Sequence, residues 1–69
     1  MHFELDTVDA LLAHLAEYEQ LDGVVCQGLN LSHQTETLLG VTAAGAAFLG
    51  CQLEDRALLH VIATGGIVF

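Results

Sequence analysis

The sequence predicts an α/β fold in which short parallel strands form a two-to-three-rung repeat, flanked by an N-terminal helix and a second helix near the C-terminus. Three observations predict it. The apolar stretch Gly45–Leu53, GAAFLGCQL, has an earlier echo at Gly23–Leu31, GVVCQGLNL, and both follow the frame G-x4-G-x2-L at an offset of 22 residues. Apolar runs of this length read as buried strands, and a fixed spacing near 20 residues marks successive parallel rungs of a solenoid. Around the two copies, apolar residues recur at spacings of three and four, the period of a helix with one buried face. Two copies fall short of the roughly three that a solenoid needs to stand alone, so helices must close the ends. A small layered α/β fold whose strands merely match is the alternative.

The elements follow in order. Met1–Leu5 alternates weakly and reads as a short strand or an extended arm. Asp6 or Thr7 caps a helix that runs to about Leu21; with Asp6 as the cap, Leu5 packs on Ala10 as a hydrophobic staple. Asp9 sits where a carboxylate favours the helix N-terminus. Val8, Leu11, Leu12, Leu15 and Tyr18 make its buried stripe, with Glu17, Glu19 and Gln20 outside it, and Gly23 ends it. Val24–Leu31 is the first strand, with Val25, Leu29 and Leu31 on one side and Val24, Cys26, Gly28 and Asn30 on the other. Ser32 caps a short helical turn through Thr35 to Leu39, ended by Gly40, and the polar SHQTET is a surface loop. A short strand follows at Val41–Ala43, then a break at Gly45 and a second strand at Ala46–Leu53. Glu54 and Asp55 open the next helix, which buries Leu58, Leu59, Ile62 and Val61. Thr64, Gly65 and Gly66 end it, and Ile67–Phe69 begins a further strand.

The 69 residues form a single small α/β module. A hydrophobic fraction of 54% excludes disorder and leaves apolar surface for another chain or domain. Nine acids face one base, Arg56, for a net charge of −8, which disfavours nucleic acid and anionic membranes as partners. No apolar run approaches the roughly 20 residues that span a bilayer, and an acidic N-terminus is unlike a signal peptide, so the expected location is cytoplasmic. Gly65–Phe69 reads as two turn residues and the start of a strand, which either docks as an edge or, the favoured reading, marks the front part of something longer.

No phosphate loop, dinucleotide fingerprint or metalloprotease motif is present, and there is no lysine. Arg56, beside Glu54 and Asp55, reads as a surface ion pair. Two cysteines and two histidines, Cys26, Cys51, His33 and His60, form the one set to weigh as a zinc site. Their spacings of seven and nine are not those of a finger knuckle. The cysteines read as free core thiols, with neither zinc nor a disulfide. A thiol nucleophile would need an oriented base, and nothing orients His33 or His60. His14 projects from the acidic side of the first helix and His2 is terminal. No catalytic, cofactor-binding or metal-binding residue is assigned. Asn30 and Gln52, at equivalent positions before the closing leucines, read as a structural amide ladder.

Leu21–Leu31, LDGVVCQGLNL, taken with Gly45–Leu53 and Gly65–Phe69, GGIVF, resembles the N-terminal extension of some bacterial LOG-like proteins, also described as lysine-decarboxylase-like or Rossmann-fold nucleotide-binding proteins. There a helix leads into L-x-G-x-x-x-Q-x-L-x-L, followed by a stretch like F-L-G-C-x-L and by glycine with apolar residues. Phe48–Leu53, FLGCQL, also looks like a pentapeptide-repeat rung. The resemblance spans nearly all of the chain. It implies that the complete protein continues into a Rossmann-like domain that hydrolyses nucleoside 5'-monophosphates, cytokinin riboside monophosphates among them, and that it dimerises. The family's catalytic stretch P-G-G-x-G-T-x-x-E is missing: the chain has no proline, and Gly65-Gly66 is followed by Ile67. The expected role is therefore a non-catalytic structural or interaction module, which self-associates as a dimer or docks on a following domain. A stand-alone small enzyme or a zinc domain is the alternative.

Overall fold

A computed structural model describes residues 3–69; the expected involvement of Met1 and His2 lies outside them. The order is β1 (Phe3–Leu5), α1 (Val8–Tyr18), β2 (Val24–Gln27), α2 (Thr35–Leu39), β3 (Ala47–Leu49), α3 (Asp55–Ala63) and β4 (Ile67–Val68). The four strands form one parallel sheet in the order β1-β2-β3-β4. Each crossover is a helix and each steps to the next strand in the same direction. Because such crossovers share one hand, all three helices fall on one face of the sheet. The fold is thus a short parallel stack of strand–helix coils.

The echo in the sequence is the register of the stack. Val25 pairs with Ala47, Cys26 with Phe48 and Gln27 with Leu49, each 22 residues apart, and Asn30 bridges Gln52 at the same offset. The flanking pairs, Phe3 with Val24 and Ala47 with Ile67, show that the coil length varies by only a residue or two.

Glycine explains why the strands are shorter than the apolar runs. Gly28 and Gly50 occupy matching places, with φ of 69° and 64°. A left-handed residue there ends the pleat and resets which side chains point inward. The simple alternation expected for Val24–Leu31 therefore fails: Val24, Cys26, Leu29 and Leu31 are all buried, while Val25 lies on the opposite side. Val41–Ala43 is not a strand. It is an irregular segment whose Thr42 and Ala44 carbonyls accept from the Leu21 and Gly23 amides at 2.8 and 2.9 Å. Asp22 fastens the same junction, its Oδ1 accepting from Thr42 Oγ1 at 2.8 Å and from the Ala44 amide at 2.9 Å.

The helices also depart from expectation. Thr7 is the N-cap of α1, its hydroxyl accepting from the Ala10 amide at 3.0 Å. The helix stops at Tyr18 rather than Leu21, with Glu19 left-handed at φ 58°. It must stop there, because Leu21 is wholly buried and enters the core from outside the helix. Within the stripe, Leu11 is buried, while Leu12 and Tyr18 are partly exposed. Thr35 is buried despite its place in the polar SHQTET, and its hydroxyl donates to Glu54. Ser32 does not cap α2, which starts after Gln34; its hydroxyl donates to Asn30 Oδ1 at 2.6 Å. That bond turns the Asn30 carboxamide toward its own turn, so the Asn30–Gln52 link runs through the backbone rather than an amide ladder.

In α3, Ala57 and Val61 are buried, four residues apart, and Leu59 and Ile62 are exposed. Arg56 and His60 turn toward α2, through Glu36 and the Val41 carbonyl. This orientation lets the small Ala57 approach the sheet and leaves the larger residues outside. One cluster from Leu5 through Val61 forms the core, with Phe48 its largest fully buried side chain.

Candidate interaction surface

Parallel sheets are normally covered on both faces. Here the helices cover one, and the other is open. Successive strand residues point to opposite sides, so the open face carries Glu4, Val25, Ala47 and Ile67 in one register row. Gln27 and Leu49 begin the next row. Phe69 completes it, because its amide donates to Phe48 O and its carbonyl accepts from Gly50 N, bracketing Leu49. The result is a contiguous apolar strip of Val25, Ala47, Leu49, Ile67 and Phe69, with Glu4 and Gln27 at its polar margin. Val25, Ala47 and Leu49 are half-buried, while Ile67 and Phe69 are 54% and 76% exposed.

This strip is hidden in the sequence, because the cores of the two echoed runs are uniformly apolar. The signal that finds it is the position directly after each inward residue: Val25 after Val24, Ala47 after Ala46, Ile67 after Gly66.

The residues weighed for zinc are not gathered. Among the described residues, no group of three or more His, Cys, Asp or Glu side chains could hold a metal. The His60 Nε2 lies 2.7 Å from the Val41 carbonyl, which can only accept, so Nε2 carries a proton and is spent on that bond. His33 is exposed on the loop before α2. Cys26 and Cys51 are both free thiols and do come together: Cys51 Sγ donates to the Cys26 carbonyl at 3.5 Å. Burial, with Cys51 adding to it, pushes the Cys26 thiol up from 9.0 to about 12. Cys26 is therefore a neutral packing residue at physiological pH. An unfolded chain ionises this thiol near its ordinary value and the folded chain does not, so the contribution to stability is full below pH 9 and is lost as pH rises toward 12. Cys26→Ser removes the titrating thiol, and the alkaline fall in stability is expected to be shallower in that variant than in the wild type, as measured by urea unfolding at several pH values.

His14 is buried instead of projecting from the acidic side of α1. Its ring sits 4.9 Å from that of Phe3 and 4.6 Å from that of Tyr18, and its Nε2 has no hydrogen-bond partner among the described residues. This aromatic trio covers the β1 end of the stack. Arg56 pairs with Glu36 at 3.3 Å, both well exposed, rather than with its neighbours Glu54 and Asp55. No pocket opens among the described residues, and no helix there is long and apolar enough to cross a membrane.

No family model, curated protein or solved structure matches the chain.

Proposed function

We propose that the chain is a non-catalytic interaction module and that the open face of its parallel sheet is the docking surface. The observation that carries this reading is the strip Val25, Ala47, Leu49, Ile67 and Phe69 on a sheet covered by helices on one side only. The buried set around β2, Leu21, Val24, Cys26, Leu29 and Leu31, is similar in spacing to leucine-rich solenoid repeats. Solenoids use an extended strand surface to bind their partners. An apolar strip edged by Glu4, on a chain of net charge −8, favours a partner segment with apolar side chains and basic flanks.

Selection from a random-peptide library tests this. Enriched peptides are expected to combine apolar residues with Lys or Arg, and to lose binding to Leu49→Lys while still binding an Asp55→Asn variant on the helix side. Peptides whose binding ignores Leu49→Lys would contradict the docking face.

The LOG-like resemblance adds that such a module is joined to a domain acting on nucleoside 5'-monophosphates. With no lysine in the chain and its one arginine engaged by Glu36, the module itself has little to hold a phosphate. The isolated chain is expected to release no base from purine or cytokinin nucleoside monophosphates.

A further inference from the structure

The two edges of the sheet are guarded differently. Open edges invite pairing, and proteins commonly protect them with charge, proline or a bulge. At the β1 edge, Glu4 lies on the strand and Asp6 directly after it. At the β4 edge there is no such protection: Ala57–Phe69, ALLHVIATGGIVF, contains neither a charged residue nor a proline. The exposed large apolar residues divide the same way. Phe3, Leu12 and Tyr18 belong to the first coil, and Leu59, Ile62, Ile67 and Phe69 to the last, with none in between. Phe3 and Tyr18 already pack on each other and on His14. Among the described residues the last coil has no equivalent aromatic cluster.

We infer that the β4 edge pairs with the β4 edge of a second copy, antiparallel, about a two-fold axis at Val68. This rests on the reading of the chain as an interaction module and names one partner for it. The Ile67 and Phe69 amides donate to Ala46 O and Phe48 O at 2.9 Å. Alternation along a strand therefore turns the Val68 amide and carbonyl to the open side. Two antiparallel strands centred on one residue exchange both N–H···O bonds between that residue and its symmetry mate. With Val68 at the centre, Ile67 of one copy lies beside Phe69 of the other on the open face, an aromatic and β-branched pair of the kind that stabilises sheets. On the helix side, Ile62 and Leu59 of α3 meet their counterparts. The charge pattern selects this arrangement over head-to-tail stacking. Joining β4 to a β1 edge would press Glu4 against apolar side chains at a desolvation cost, whereas the two-fold joins stretches without charged side chains and keeps the acidic N-terminal coils apart.

Sedimentation equilibrium of the full chain over a wide concentration range tests this, with folding checked by circular dichroism. The wild type is expected to dimerise. Ile67→Lys, at an exposed position, and Val68→Pro, which removes the outward amide, are expected to abolish the dimer, while Val25→Lys on the same face but far from the edge leaves it intact. In a mixed-isotope sample, Ile67 methyls should show intermolecular contacts to the Phe69 ring. A wild type that stays monomeric throughout overturns the two-fold dimer and leaves the docking face to the peptide test. A dimer that survives Ile67→Lys, or is lost with Val25→Lys alone, overturns it as well and assigns association to another surface.

Discussion

Phe48→Ala is expected to leave the chain largely unfolded at room temperature. Phe48 is fully buried on β3, in register with Cys26 on one side and Val68 on the other. It is the largest fully buried side chain of the core and sits between β2 and β4, so its loss leaves a void inside the packed stack. Truncating a buried phenylalanine costs about 3–5 kcal/mol. A domain of this length has only about 0.05–0.15 kcal/mol of stability per residue, so the loss is comparable to the whole. Phe48→Leu keeps most of the volume and should cost less than about 1.5 kcal/mol. Urea titration followed by circular dichroism separates the two. A Phe48→Ala protein melting within a few degrees of wild type would show that the core is not organised around this ring.

Gly66→Ala has the second largest expected effect, for a steric reason. A Cβ on Gly66 would lie 2.6 Å from Val61 Cγ1 and 3.0 Å from the carbonyl oxygens of Ala43 and Val61. Val61 is buried and branched at Cβ, so its methyl has no free rotamer to retreat into. The two carbonyls are backbone, and moving either disturbs the return from α3 into β4, where the Gly66 amide donates to Val61 O at 2.8 Å. Overpacking of this kind costs about 1–3 kcal/mol, and each kcal/mol lowers the melting temperature of so small a domain by about 4–8 °C. Val61→Ala in the same chain removes one of the three contacts, so it should recover only part of what Gly66→Ala loses beyond its own cost. An unchanged melting temperature for Gly66→Ala would contradict the close approach of α3 to the sheet.

The two effects mark what the sequence made legible. The 22-residue echo reported the register directly, because residues stacked in a parallel sheet share one environment and accept similar side chains: Cys26 over Phe48, Gly28 over Gly50. Helix positions were legible to within a few residues from caps and periodicity. What the pattern could not report was which side of an apolar element meets the core. In α3 the stripe Leu58, Leu59 and Ile62 is as apolar as Ala57 and Val61, and only the short distance to the sheet selects the smaller pair. His14 was misplaced for a related reason: its burial depends on Phe3, eleven residues away on another element, closing over it. The candidate surface stayed hidden because an apolar strand residue looks the same whether a helix covers it or nothing does.

The bare face of the sheet can be tested on the protein alone. Methyl NMR with a soluble paramagnetic relaxation agent reports which side chains the solvent reaches. The fold places Val25 and Leu49 on the uncovered side and Val24, Leu31, Leu38 and Val61 in the core between the sheet and the helices. Strong relaxation of the Val25 and Leu49 methyls, with little for the other four, is the result expected. If Val25 and Leu49 are as protected as Val24, the sheet is covered on both faces and the docking surface does not exist.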